Sequence, residues 1–409
     1  MRILEVNKFH YLRGGSERYY FDITSALRRR GHEVDHLSMR HPRNVPAGPR
    51  DEFVDEVDYR ANMGWAAKIA AASRAIHNRA AASAARRLAL AGPRPVAHLH
   101  NIAHQLSTSI VSALHRAGVP MAQTLHDYKL VCPNSQMLTG GAVCDRCRGG
   151  KYWSAVRHAC LLDSRSASAV AAAEAYLCHW LRTYDRVGTF VCPSRFMLET
   201  VASFGVNRDR LAHVPHFLPL GEYPLAGPPR ELACVYLGRL AREKGIGTLI
   251  EAITRMRDKR LELWVLGEGP LRESLEAKAQ ASCPGRVKFL GYRSGTELAE
   301  TVRSAAMVAT PSEWYENQPY SVLEAFAYGR PVVGARIGGI PELVEDQVTG
   351  RLHVSGDPDS LAEALDWMLA DEARLAALGA AARAKVEREH SEAAHLDRLE
   401  VIFARLLEG

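Results

Sequence analysis

The segment Ala233-Cys-Val-Tyr-Leu-Gly-Arg-Leu-Ala-Arg-Glu-Lys-Gly245 decides the fold class, because it joins a short apolar strand to a helix through a glycine turn. Ala233–Leu237 reads as a buried strand, Gly238 allows the tight turn, and a helical pattern follows over Gly245–Arg257. The unit recurs downstream. Leu261–Leu266 reads as a strand, Gly267-Glu-Gly-Pro270 as a turn and Leu271–Ala281 as a helix. Val287–Leu290, Met307–Thr310 and Pro331–Gly334 are further strands, and helical segments run from Asp357 to Leu407. Upstream, Arg2–Val6 is a strand, Gly14-Gly15 a turn, and Ser16–Arg30 a helix with Ser16 as expected N-cap and Gly31 as its stop. Glu33–Ser38, Val96–Leu99, Val119–Leu125 and Gly188–Cys192 continue the strands, with helical segments between them. Such alternation predicts parallel sheets covered on both faces.

Between the halves, Pro215–Pro229 holds five prolines and two glycines and is the expected linker. The predicted architecture is α/β: two facing, Rossmann-like, doubly wound parallel-sheet domains. The first covers 1–218 with a Cys-rich insert at 130–162, and the second covers 231–390. A last helix, 391–409, is expected to pack back toward the N-terminal domain. Ligands of such sheets bind at the carboxyl ends of the strands, so a cleft between the domains is the expected site.

The composition, 47% hydrophobic and 24% charged over 409 residues, is that of a soluble globular protein. Glu5 and Lys8 fall where a signal peptide needs an apolar run. No uncharged apolar stretch reaches the roughly 18 residues of a membrane span. A cytoplasmic protein with reduced cysteines is therefore expected. The net charge of +6 is uneven: residues 1–230 carry 30 Lys/Arg against 18 Asp/Glu, and residues 231–409 carry 22 against 28. Tyr59–His126 has no acidic residue, but it has Arg60, Lys68, Arg74, Arg79, Arg86, Arg87, Arg94 and Arg116. With Trp65, Ile69 and Ile76 among alanines, this stretch fits peripheral contact with an anionic membrane on the inner face; an ordinary solvated pair of helices is the alternative. No nucleic-acid partner is expected.

The strongest local signal is Pro311-Ser-Glu-Trp-Tyr-Glu-Asn-Gln-Pro-Tyr-Ser-Val-Leu-Glu-Ala-Phe-Ala-Tyr-Gly-Arg-Pro331. Glu316 and Glu324 stand eight positions apart across a loop-to-helix junction, with Pro319 where a helix can begin. A carboxylate can accept hydrogen bonds from two sugar hydroxyls at once. After the strand at 233–237, Arg239 can fork onto a phosphate and Lys244 can supply a point charge. The Gly267 turn lacks the full spacing of a dinucleotide fingerprint, so a nicotinamide cofactor is poorly supported.

Together these segments resemble the family 4 glycosyltransferases, which have the GT-B fold. The resemblance runs from the opening strand and Gly14-Gly15-Ser-Glu-Arg18 to Gly338-Gly339-Ile-Pro-Glu342. It implies that Glu316 contacts the transferred sugar, that Glu324 holds the ribose, and that Arg239 and Lys244 bind the diphosphate. His126, in Thr124-Leu-His-Asp127, would line the donor sugar beside the reacting carbon, and Gly15 would let backbone approach the donor phosphate. The candidate catalytic residues are thus His126 and Glu316. The candidate donor-binding residues are Gly15, Arg239, Lys244, Gly267, Asn317, Gln318 and Glu324. Two departures stand out: the family's Glu-Gly-Phe-Gly is here Glu316-Asn-Gln-Pro319, and its Asn-Gly is here His216-Phe217. The implied reaction is retaining transfer from a nucleotide-diphosphate sugar to a carbohydrate, lipid-linked or small-molecule acceptor, with no catalytic metal. A nucleotide-sugar epimerase, a phosphorylase, or a binding module without turnover are the alternatives.

Cys132, Cys144, Cys147 and Cys160 fall within 29 residues, with a knuckle-type Cys-Asp-Arg-Cys pair at 144–147. The spacing predicts a structural zinc site stapling a glycine-rich loop; four independent buried cysteines are the alternative, and an iron–sulfur or redox-active cluster the lesser one.

Overall fold

The computed structural model describes residues 1–57 and 64–409, with side chains for all of these except 65–69. Arg60, and the side chains of Trp65, Lys68 and Ile69, therefore lie outside the described residues. Contacts divide the chain into two compact units. The first comprises Met1–Thr139, Cys144–Val214 and His395–Gly409; the second comprises Pro215–Ala394 with the short segment Gly140–Val143.

Among the described residues, the main sheet of the first unit has seven strands: β1 (Arg2–Val6), β2 (Glu33–Arg40), β3 (Glu52–Asp55), β4 (Val96–Leu99), β5 (Met121–Thr124), β6 (Thr189–Cys192) and β7 (Leu211–His213). They lie in the order β3-β2-β1-β4-β5-β6-β7, and every pairing is parallel. β1 is buried along its whole length, with Ile3 opposite both Val34 and Val96. Burial on both faces is why such strands read as continuous apolar runs. Two exceptions in that core, Glu5 and His98, are partners in register across β1 and β4.

The helix after β1 runs Gly15–Arg29, and Gly31, at φ +83°, ends it. Ser16 is not its N-cap. Gly14 holds that position without a side-chain bond, and the Ser16 hydroxyl instead donates to Glu17 Oε1 at 3.0 Å. The helix thus begins two residues earlier than a serine cap at position 16 would place it.

The second unit carries β8 (Ala233–Leu237), β9 (Glu262–Leu266), β10 (Val287–Gly291), β11 (Met307–Thr310), β12 (Val332–Ala335) and β13 (Gly350–His353), in the order β10-β9-β8-β11-β12-β13, all parallel. Leu249, Ile250 and Ile253 of the helix Ile246–Arg255 share one core cluster with Leu361, Leu365 and Met368. Val322 and Phe326 of the helix Tyr320–Ala327 belong to another with Val308 and Ile340. Each sheet therefore reverses strand order beside its first strand, between β1 and β4 and between β8 and β11. Ligands of open α/β sheets lodge outside the strand ends at that reversal.

Pro215–Pro229, expected as a linker, is no bare tether. Phe217, Leu218 and Tyr223 are buried, the Leu218 N–H donates to His390 O at 3.2 Å, and the Ala226 N–H donates to Tyr328 O at 3.1 Å. The last helix, Glu392–Glu408, belongs to the first unit from His395 onward, where Arg30 pairs with Asp397 at 2.8 Å and the Tyr19 hydroxyl meets His395 Nε2 at 3.0 Å. No helix among the described residues is long and apolar enough to cross a membrane.

Candidate active site

In the second unit, β11 ends at Thr310 and the chain loops to the helix Tyr320–Ala327, with Pro319 at the N-cap as the sequence suggested. Glu316 is buried in that loop. Its Oε1 accepts from Lys244 Nζ at 2.6 Å and from the Ser312 hydroxyl at 2.8 Å. The Lys244 ammonium also stands 4.9 Å from the centre of the Trp314 ring. Burial by itself pushes the Glu316 carboxyl up, but the Lys244 charge and these hydrogen bonds outweigh it and hold the group below the usual carboxylate range. The backbone is pinned as well. The Gly339 N–H donates to Glu316 O at 2.7 Å, and Gly338 sits at φ +59°, where a Cβ would come within 2.4 Å of that same carbonyl oxygen. Any other residue at 338 would displace the Glu316 loop.

Beside this loop, the turns after β8 and β9 interlock. The Gly238 N–H donates to Leu266 O at 3.0 Å and the Leu240 N–H to Glu268 O at 2.9 Å. Gly267, at φ +142°, lies where a Cβ would be 1.9 Å from Gly238 O, so only glycine allows this approach. The Tyr236 hydroxyl donates to Arg239 O at 2.8 Å, fixing the backbone of an exposed arginine. Glu324 is half-buried on its helix and accepts from the Tyr223 hydroxyl at 3.4 Å. Gln318 Oε1 accepts the His216 N–H at 2.5 Å, and Asn317 is buried. Lys244 and Glu316 are thus brought into direct contact, while Gln318 is joined to the backbone at His216.

In the first unit, Gly15 opens the helix Gly15–Arg29. His126 follows β5, and its Nε2 lies 3.0 Å from His100 Nδ1, with the two rings stacked at 5.3 Å and 25°. His126, His100, Lys8, His104, Asp127 and Lys129 line one cavity at the strand ends. Burial pushes Lys8 down and Asp127 up, each partly offset by the other's charge. Burial and the Lys129 charge bring His104 down to about 4.

Behind His100 lies a group that the sequence analysis passed over. Glu5 Oε1 faces His98 Nδ1 at 2.9 Å, and Glu5 Oε2 faces His100 Nε2 at 2.6 Å, all fully buried. Glu5, His98 and His100 together could hold a metal ion. The available signals were a carboxylate in the middle of an apolar strand, read only as an argument against a signal peptide, and two histidines at i and i+2.

The four clustered cysteines line one cavity in the first unit, together with Asn134, His158 and Phe204. Arg146 Nη1 stands 3.6 Å from Cys144 Sγ, and a hydrogen bond from Cys147 brings the Cys132 thiol down to about 7. All eight cysteines are free thiols.

Residues 13–221 match the family model described as Glycosyltransferase Family 4, and residues 231–371 match that described as Glycosyl transferases group 1. The chain is 33% identical over 183 residues to the amylovoran biosynthesis glycosyltransferase AmsK of Erwinia amylovora, across 43% of this chain and 45% of that protein. It is 34% identical over 165 residues to a sulfoquinovosyl transferase of Arabidopsis thaliana, across 40% of this chain and 31% of that protein. The chain thus spans less than half the length of each of these relatives. Its fold is similar to that of Anabaena HepE in complex with UDP and glucose, with a TM-score of 0.70 at 16% identity over 99% of this chain and 100% of that one. It is also similar to sucrose-phosphate synthase from Thermosynechococcus elongatus, with a TM-score of 0.73 at 18% identity over the whole of both chains. At such identities the likeness is one of fold, a GT-B architecture of two Rossmann-like domains.

Proposed function

Because the chain belongs to the family 4 glycosyltransferases, we propose that it transfers a glycosyl group from a nucleoside-diphosphate sugar to a hydroxyl of a glycan, lipid-linked or small-molecule acceptor, with retention at the anomeric carbon. The observation that carries this reading is the buried Glu316 paired with Lys244 at 2.6 Å beside the strand ends of the second sheet, next to the interlocked glycine turns. Lys244 and the exposed Arg239 grip the diphosphate, and backbone at Gly267 and Gly15 comes close to it. Glu316 accepts hydrogen bonds from the sugar, and Glu324 from the ribose. Asn317 and the Gln318 amide N–H2 complete the donor contacts, since the Gln318 carbonyl already receives the His216 N–H. His126 lines the sugar at the reacting carbon.

As the acceptor oxygen bonds to the anomeric carbon, the bond from that carbon to the phosphate oxygen breaks. The departing diphosphate oxygen takes the acceptor's proton, so the step balances without a base from the protein and without a metal. Arg239 and Lys244 stabilise the charge that develops on the diphosphate, and such preorganised electrostatics is usually the largest catalytic term.

Cys132, Cys144, Cys147 and Cys160 would hold one structural zinc. Four cysteines lining one cavity, with Arg146 beside Cys144 to offset charge, are the ligand types of that ion. Its contribution is to order the insert, and no chemical step runs through it. We place the protein in the cytoplasm, and the basic stretch fits weak docking on the inner face of the membrane.

A panel of uridine- and guanosine-diphosphate sugars, assayed for nucleotide release with and without glycan and lipid-linked acceptors, tests the reading. Acceptor-stimulated release with one donor is expected. Epimerised donor without acceptor would indicate an epimerase, and nucleotide binding without release a binding module.

A further inference from the structure

We propose that the outward face of the helix Arg165–Trp180, with Trp153 beside it, docks the protein on an anionic lipid leaflet. The inference deepens the membrane docking proposed above by giving it an apolar half, and it does not depend on which sugar is moved. One side of this helix is packed in the ordinary way: Ser168, Ala171, Ala172, Glu174 and Cys178 are buried. The other side is unusual. Ser166, Ala169, Ala173, Tyr176, His179 and Trp180 are exposed, and none of them is Asp, Glu, Lys or Arg. From Ser166 to Trp180 the one residue of those four types is Glu174, which is buried and paired with Lys129 at 2.8 Å. A surface helix that faces water carries charged and polar groups on its outer side, so water alone does not account for this face.

Ala169, Ala173, Tyr176 and Trp180 follow one another at steps of four, three and four, which sets them in one stripe along the helix. Trp180 is 80% exposed, Leu181 just beyond it 49% and Trp153 51%. The Trp153 backbone N–H donates to the Tyr176 hydroxyl at 3.1 Å, and the Tyr152 ring meets the Tyr176 ring edge-on at 5.1 Å, so the short helix Trp153–Arg157 adjoins the stripe. Trp and Tyr settle at the level of lipid headgroups, because each has an apolar ring body and a polar tip.

Charge names the occupant. Arg165 is the first residue of the long helix and Arg182 lies two residues past its end, and both are exposed. Lys151 and Arg157, also exposed, stand on either side of Trp153 in the chain. Residues 146–182 hold six Lys/Arg against two Asp/Glu, one of them the buried Glu174. Arg182 also meets Asp185 at 2.6 Å, but through its Nε in an exposed pair, which leaves further N–H donors for a phosphate. The helix has 16 residues. At about 24 Å long, it would lie flat on a leaflet with an aromatic stripe between two cations. A second copy seated on the same face would set cation against cation in either helix direction. The helix Trp65–Ile76 of the basic stretch packs beside this one, which brings the two docking elements together. Apolar contact and charge are each marginal alone, and stable anchoring takes both.

The test is co-sedimentation of the full-length protein with phosphatidylcholine vesicles, with and without about 30% phosphatidylglycerol, at one low ionic strength. Wild type should sediment with the anionic vesicles and stay in solution with the neutral ones. Tyr176→Ser combined with Trp180→Ser should cut the bound fraction at least about fivefold, and Arg165→Gln combined with Arg182→Gln at least about threefold, with melting temperatures unchanged. Insertion has its own readout. Lipids with brominated acyl chains should quench part of the wild-type tryptophan emission, and Trp153→Phe combined with Trp180→Phe should lose that quenching while still sedimenting. Binding that survives the two serine changes, unquenched emission from vesicle-bound wild type, or no binding at all would overturn the proposal. So would a concentration-dependent dimer that Trp180→Ser dissociates in the absence of vesicle binding, which would mark the face as a contact between copies. No sugar donor enters the experiment, so its outcome is separate from that of glycosyl transfer.

Discussion

Lys244 has three N–H donors, and one of them is committed to Glu316 at 2.6 Å. The remaining two can meet a diphosphate without releasing the carboxylate, which couples donor binding to the buried charge beneath it. Lys244→Ala and Arg239→Ala should each weaken nucleoside-diphosphate binding by about 1.5–3 kcal/mol, the range for hydrogen bonds to charged groups, as calorimetry would measure. The two differ in stability. Arg239 is exposed, so its loss should leave the melting temperature nearly unchanged. Lys244→Ala strips a buried carboxylate of its counter-charge. Glu316 is held below its usual pKa, so the stability it contributes is present above the ordinary carboxylate range and lost as pH falls through the lowered value. The melting-temperature gap between wild type and Lys244→Ala should therefore be widest near neutrality and close on acidification. A gap that is constant with pH would mean that Lys244 does not act through Glu316.

At the level of elements, legibility followed local periodicity. The interior strands β1, β4, β8, β9 and β11 were read nearly residue for residue, because burial on both faces makes them apolar runs. Three of the four edge strands, β3, β7 and β13, were missed, being short and carrying polar or half-buried residues. The Glu5–His98–His100 array escaped notice because its members are distant in sequence and become neighbours only when β1 and β4 pair with Glu5 opposite His98. The cysteine quartet was legible from spacing alone, since it lies within one insert. If that insert is stapled by zinc, elemental analysis of chelator-free protein should find about one zinc per chain, and each Cys→Ser change should lower metal content and thermal stability together. Full stability in metal-free protein would exclude the staple.

On the scale of the whole molecule, both sheets share an inner order in which the first strand lies between the second and the fourth, and the glycine turns after β8 and β9 were visible in the sequence as candidate ligand loops beside the stronger signal at Pro311–Pro331. Hidden from it was the support around Glu316, because Gly338 and Gly339 reach that loop from more than twenty residues away. The basic stretch also looks different in three dimensions. The helix Arg79–Leu90 buries Ala81, Ala84, Ala85 and Leu88, and Arg87 is engaged with Glu52 at 2.8 Å. Its apolar face is thus turned inward, so any membrane contact by this helix should be electrostatic. Co-sedimentation should rise with the anionic lipid content of vesicles and vanish at high salt, whereas binding indifferent to both would remove the membrane reading. The measurement that bears most directly on the function is a paired one on Glu316→Ala and Glu324→Ala: calorimetric affinity for the free nucleoside diphosphate, and turnover of the donor. Glu316→Ala should keep the affinity and lose turnover, because Glu316 meets the sugar, while Glu324→Ala should lose affinity through the ribose. Equal loss of nucleotide affinity in both, or wild-type turnover in Glu316→Ala, would contradict a donor site built on this loop and helix.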